Sequence, residues 1–199
     1  VSATNRGAPR KGNDAYYTPL DCAQAIVKRL GETYCARPPR YILEPSVGKG
    51  AFVLAAIGHW PGAIIKALDV QRVVPDAMPY EFVQTSFEEY AANARGGCYD
   101  LVIGNPSFAL AEAHIRLALG QLAPGGVLAF LLRLNLLGGK ARSAGFWAEH
   151  PPSEVMVLDR RPSFGKSDKG NLVDSTEYGV FVWADNGVRE APRLSWLRW

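Results

Sequence analysis

Apolar positions along the chain fall into blocks whose period changes. Leu20, Ala23, Ile26, Val27 and Leu30 recur at three- and four-residue spacing, which predicts an amphipathic helix. Thr18 stands at its N-cap, Pro19 at the first helical position, and Asp21 where a capping-box acid sits. Pro38 and Pro39 end that region. A different pattern then begins. Tyr41-Ile42-Leu43 is a short apolar run that stops at Glu44-Pro45 and a glycine turn. Residues 50–58 are expected to be helical. Ala63 to Leu68, Glu81 to Gln84, Leu101 to Ile103 and Val127 to Leu132 are predicted strands, and residues 109–122 a helix. Continuous apolar strands separated by helices predict a parallel sheet covered on both faces.

The tail has another character. Glu154 to Leu158 and Tyr178 to Trp183 are two further predicted strands, paired as an antiparallel hairpin that closes the sheet edge. The stretch 163–176 between them is rich in Gly, Ser, Lys and Asp and carries no periodicity. Residues 1–15 are polar and read as a flexible basic arm, which leaves 16–199 as a single domain.

Composition narrows the class. The 199 residues are 48% hydrophobic and 21% charged, an ordinary globular balance. A net charge of +3 neither demands nor forbids a nucleic-acid partner, so any basic surface must be local. Cys22, Cys35 and Cys98 lack metal-site spacing and suit reduced thiols, and with three histidines no metal is expected. No apolar run matches a membrane span and no signal peptide is visible, so a cytoplasmic protein is expected.

The candidate chemistry lies at strand ends, where open α/β sheets bind ligands. Gly48 and Gly50 sit in a strand-to-helix turn that lets a ligand approach the backbone. Val53 holds the place of the third glycine of the dinucleotide fingerprint, which argues against NAD. Asp69 ends the next strand and can accept bonds from both hydroxyls of a ribose. Asn105-Pro106-Ser107-Phe108 ends the fourth. Its Asn amide and Pro carbonyl can accept hydrogen bonds from an exocyclic amine, and its aromatic ring can stack on a planar base.

In this order the segments resemble class I S-adenosylmethionine-dependent methyltransferases of the DNA N6-adenine type. Glu44-Pro-Ser-Val-Gly-Lys-Gly-Ala-Phe52 resembles the cofactor motif, and Asn105-Pro106-Ser107-Phe108 the catalytic motif (Asn/Asp)-Pro-Pro-(Tyr/Phe/Trp). Tyr17-Thr18-Pro19 resembles the amino-terminal motif. Arg161-Pro-Ser-Phe164, Asp174-Ser-Thr-Glu-Tyr178 and Phe181-Val-Trp183 are similar to the tail of small phage and prophage adenine methylases. The resemblance runs from about residue 13 to 184. Two departures stand out: Ser107 replaces the usual second proline, and no separate target-recognition domain fits after residue 108.

The resemblance implies a doubly wound, Rossmann-like sheet of seven strands in the order 3-2-1-4-5-7-6, with an antiparallel last strand. It implies S-adenosylmethionine as cofactor. Tyr17, Thr18 and Pro19 would contact its methionine end, with Glu44 near the amino group and Pro45, Ser46, Gly48 and Gly50 along the turn. Asp69, Val70, Ser86, Phe87 and Asn105 complete the implied cofactor set. Asn105, Pro106, Ser107 and Phe108 form the implied catalytic loop. DNA is the implied partner, bound by a monomer or homodimer. Phosphate contacts are expected from Arg6, Arg10 and Lys11 of the arm, from Lys140 and Arg142 in 138–150, and from Lys166 and Lys169 in 163–176. RNA adenine, a protein glutamine amide, or binding without transfer remain as alternatives at this stage.

Overall fold

The structure is a computed structural model that describes residues 16–72, 79–167, 170–173, 175–184 and 191–199, with the side chains of 165–167 and 170–173 left aside. The central sheet is built from β1 (Tyr41–Glu44), β2 (Ile64–Asp69), β3 (Glu81–Gln84), β4 (Tyr99–Gly104), β5 (Leu122–Arg133), β6 (Glu154–Leu158), β9 (Tyr178–Ala184) and β10 (Arg193–Leu197). Its order is β3-β2-β1-β4-β5-β9-β6-β10. Strand β9 runs antiparallel to both β5 and β6, and every other pairing is parallel. A separate two-stranded ribbon joins β7 (Ser163–Ser167) to β8 (Gly170–Val173). The helices are α1 (Leu20–Thr33), α2 (Ala51–His59), α3 (Phe87–Asn93), α4 (Ala111–Gln121), α5 (Lys140–Ala144) and α6 (Phe146–Glu149).

The two-residue period of the strands divides the core. Ala129 and Leu131 of β5 join Ile26, Leu30, Phe52 and Val53 on the α1–α2 side. Leu128, Phe130 and Leu132 join Phe87, Ile115 and Phe181 on the α3–α4 side. Both faces are therefore covered, as the unbroken apolar runs require. Asp100 ties the sheet's lower edge: its Oδ2 accepts from the backbone N–H groups of Arg40 (2.8 Å) and Tyr41 (2.9 Å) at the start of β1.

Five expectations are corrected. The sheet has eight strands, because Arg193–Leu197 adds beyond β6; the first seven keep the expected order when β9 is counted seventh. The β6–β9 pair is thus internal, and β10 forms the edge. Glu154, buried at the start of β6, holds β10 in place. It accepts from Ser195 Oγ (2.5 Å) and Arg193 Nη2 (3.2 Å), and also from the Tyr34 hydroxyl. The stretch 163–176 is not featureless, since its backbone forms β7–β8. The loop 138–150 contains α5 and α6. Finally, α1 starts at Leu20 with Pro19 in the N-cap position and no side-chain cap, because the Thr18 hydroxyl is engaged elsewhere.

Among the described residues no helix is long and apolar enough to cross a membrane, and no group of three His, Cys, Asp or Glu residues could hold a metal. All three cysteines are free thiols. Burial pushes Cys22 up to about 12 and Cys35 up to about 11, which makes both poor nucleophiles.

Candidate active site

The ends of β1, β2 and β4 meet at one end of the sheet. The chain leaves β1 at Glu44, passes buried Pro45, and folds into a tight loop before α2. Gly48 (φ 51°) and Gly50 (φ 82°) take left-handed conformations there, which glycine adopts without steric cost. Asp69, at the end of β2, holds the loop down: its Oδ2 accepts from Gly48 N (2.9 Å) and its Oδ1 from Gln71 N (3.0 Å). The Tyr17 ring lies over the loop, 3.2 Å from where a Cβ at Gly48 would stand, and the ammonium of Lys49 sits 4.5 Å from that ring's centroid.

Glu44 is buried at 1% exposure. Burial pushes its carboxyl well above its ordinary value of 4.5; the Ser46 N–H (3.3 Å) pulls it down, and the Asp69 charge pushes it up further. Gly104, the last residue of β4, leaves room for it, since a Cβ there would run into the Glu44 carboxylate. Gly104→Ala is therefore expected to destabilise the fold by about 1–3 kcal/mol, as overpacking does. Urea unfolding measures this, and an unchanged midpoint would contradict the contact.

Asn105 follows directly. Its Nδ2 donates to the Tyr16 carbonyl (2.9 Å) and to Thr18 Oγ1 (3.2 Å), which joins the segment before α1 to the end of β4. Its Oδ1 is buried with no hydrogen-bond partner among the described residues. Pro106 is buried, and Ser107 is exposed, its carbonyl accepting from Leu110 N (3.0 Å). Phe108 opens a single 3-10 turn and joins an aromatic cluster with Tyr16 (5.3 Å) and Tyr178 (5.6 Å), to which Phe164 adds contacts at 5.3 Å from Tyr16 and 4.9 Å from Tyr178.

A partly open pocket lies between these parts. Tyr16, Tyr17, Thr18, the loop from Ser46 to Lys49, Ala51, Phe52 and Asn105 line it. The three strand ends and the chain before α1 thus converge on one concave site with one unused buried acceptor.

No family model and no curated protein sequence matches the chain. Solved structures do. A candidate class I S-adenosylmethionine-dependent methyltransferase from Listeria monocytogenes superposes over 96% of this chain and 68% of its own, with a TM-score of 0.65 and 16% identity. A candidate RNA methyltransferase from Pyrococcus horikoshii matches over 85% of both chains (TM-score 0.64, 13% identity). The methyltransferase subunit of a type I restriction-modification system from Streptococcus thermophilus matches 85% of this chain (TM-score 0.63, 14% identity), which spans 44% of that subunit. This is the Rossmann-like methyltransferase fold.

Within the methyltransferase fold the anticipated residues take several places, and Pro45, Pro106, Ser107 and Phe108 are not part of the pocket's lining. Tyr17, Thr18, Ser46, Gly48 and Asn105 line the pocket. Glu44 and Asp69 support it from behind, through Ser46 and Gly48. Pro19 and Gly50 cap helices beside it. Val70 is exposed just past Asp69. Ser86 and Phe87 do not reach the lining. The Ser86 hydroxyl accepts from Glu89 N (3.1 Å) as the cap of α3, and Phe87 packs edge-on against His114 (5.4 Å). Of the expected phosphate contacts, Lys140 is exposed at the start of α5. Arg142 is engaged inside the fold, donating to Glu112 (2.6 Å) and to the carbonyls of Leu136 (3.2 Å) and Gly138 (2.6 Å). Arg6, Arg10, Lys11 and Lys169, and the Lys166 side chain, lie outside the described residues.

Tyr16, Val47, Lys49, Ala51 and Phe52 line the pocket without having been assigned a contact from the sequence, and Arg133 beside Phe108 was also missed. Tyr16 stands just before the Tyr17-Thr18-Pro19 motif, and its ring meets Phe108 and Phe164 at 5.3 Å. Arg133 ends β5 and places its guanidinium carbon 4.5 Å from the Phe108 centroid and 5.2 Å from that of Tyr16. An arginine closing an apolar strand gives no sequence signal of that contact.

Proposed function

We propose that the chain transfers a methyl group from S-adenosylmethionine to the exocyclic N6 amine of adenine in DNA. The observation that carries this reading is the buried Asn105 Oδ1, an acceptor without a partner among the described residues, on a pocket-lining side chain that Pro106 and Phe108 follow in sequence. A buried polar atom is normally satisfied, so an orphaned acceptor in a cleft fits a donor that arrives with the substrate. The neighbours support a nucleic-acid acceptor, since one belongs to a restriction-modification system and another is a candidate RNA methyltransferase.

The pocket residues fit the cofactor. The loop at Gly48 brings its backbone close to any ligand beneath Tyr17, with Asp69 fixing the loop and offering further lone pairs to ribose hydroxyls. Glu44 fixes the loop from behind through the Ser46 N–H. Bound S-adenosylmethionine supplies a methyl group on an electrophilic sulfonium. The chain's own task is orientation. Adenine is turned out of the helix into the site. Asn105 Oδ1 and the Pro106 carbonyl accept its two N–H bonds and turn the nitrogen lone pair out of ring conjugation. Phe108 holds the ring plane. The proton released on alkylation passes from these acceptors to water. Positioning of this kind supplies most of the acceleration in a transfer that needs no covalent intermediate.

Incubation with methyl-labelled cofactor and separate DNA, RNA and protein pools tests the reading. Label in DNA is expected; label in RNA or protein alone would overturn it.

Glu44 also gives a pH signature. Its carboxyl binds a proton more tightly in the folded chain than in the unfolded one. Its contribution to stability is therefore full at low pH and lost as pH rises from its ordinary 4.5 through the raised folded value. Glu44→Gln removes this loss. Thermal melts of the ligand-free protein between about pH 5 and pH 8 should fall less steeply in the variant than in the wild type. Parallel slopes would contradict the burial of an ionisable Glu44.

A further inference from the structure

Arg133 stands over the Phe108 ring, which the proposed function assigns to the target base. It is the last residue of β5, opposite Tyr178 in the antiparallel register with β9. Its guanidinium lies over the Phe108 ring at 4.5 Å and over the Tyr16 ring at 5.2 Å. Its Nη2 donates to the Tyr16 hydroxyl (3.0 Å) and its Nε to the Tyr178 hydroxyl (3.3 Å). Tyr16 and Tyr178 themselves meet Phe108 tilted, at 60° and 50°. The group lying over the Phe108 face is thus the guanidinium, a planar π-system that stacks on aromatic rings much as a base does.

We propose that Arg133 exchanges with the target base: in the free protein its guanidinium covers the Phe108 face, and insertion of adenine displaces it. The inference rests on the adenine reading of Asn105–Phe108, because it needs a planar ring to arrive at that face. Two things follow. The apparent affinity for the base is lowered by the stacking that must first be given up, by about tenfold for a cation–π contact of ordinary strength. The displaced cation is released next to the bound strand, whose phosphates it can then approach. Arg133 is in this sense a positioning residue that links base insertion to the backbone.

Proton–nitrogen spectra of the Arg133 Nε–H group in the wild-type protein test this, with the signal assigned by its loss in Arg133→Lys. In the free protein the signal should be displaced by the ring currents of Phe108 and Tyr16. Addition of a short oligodeoxyadenylate should return it toward the position of exposed arginines, whereas an abasic strand of the same length should leave it in place. Binding of each strand is followed separately by fluorescence anisotropy. Oligodeoxyadenylate that binds without moving the signal would overturn the exchange and leave the adenine reading standing. Equal movement with the abasic strand would also overturn it, since backbone charge alone would then account for the change. Binding of neither strand would remove both the exchange and the adenine reading.

Discussion

Asn105→Ala is expected to lower the turnover number by about 10²–10³-fold, the usual cost of removing a preorganised hydrogen-bonding group from the reacting centre. On the proposed reading the loss comes from Oδ1, which has no hydrogen-bond partner among the described residues and is the acceptor assigned to the amine. The same side chain has a second task. Its Nδ2 bridges the Tyr16 carbonyl and Thr18 Oγ1, so the variant also frees the segment that covers the pocket. Cofactor affinity should therefore fall too, by less than about tenfold, in keeping with neutral hydrogen bonds. Steady-state kinetics beside calorimetric cofactor binding separates the two effects. Turnover close to wild type would refute the clamp.

Asp69→Ala is expected to weaken cofactor binding by about 10–100-fold, the range of hydrogen bonds to a charged group. Asp69 acts twice in one place. It fixes the left-handed backbone at Gly48 through the 2.9 Å bond to its N–H, and it turns the chain after β2 through Gln71. Its loss lets the glycine loop relax and removes the acceptor proposed for the ribose. Asp69→Asn keeps the shape and should lose less. Calorimetry with S-adenosylmethionine reads both variants, and wild-type affinity in Asp69→Ala would take the residue out of the site.

Much of this architecture is readable before any coordinates. Parallel strands buried on both faces must be apolar throughout, so β1, β2, β4 and β5 announce themselves, and their polar stops at Glu44, Asp69 and Asn105 mark the ligand end. The Asn105 segment draws its proposed role from an acceptor, a rigid proline and an aromatic ring within four positions.

Other parts were hidden for physical reasons. Strand β10 reverses the usual alternation: Ser195 turns inward to the buried Glu154, while Leu194 and Trp196 are 60% and 64% exposed. A reading that sends apolar side chains inward passes over such a strand. Thr18 carries the mark of a helix cap, and its hydroxyl serves as one elsewhere in proteins, but here it accepts from Asn105 across 87 positions of sequence. Phe87 follows a strand end, where a cofactor contact is reasonable, yet its ring turns into the core beneath α4. Arg142 resembles a phosphate-binding side chain until its bonds to Glu112 and two carbonyls are seen. In each case at least one deciding partner is remote in sequence, as Glu112 is from Arg142, and local pattern carries no trace of it.

The identity of the methylated atom tests the central claim most directly. DNA incubated with the protein and S-adenosylmethionine, then digested to nucleosides and resolved by mass spectrometry, should contain N6-methyl-2′-deoxyadenosine, and Asn105→Ala should remove it. Methylation confined to another base or to RNA, or cofactor binding with no methylated nucleoside in any pool, would contradict the account.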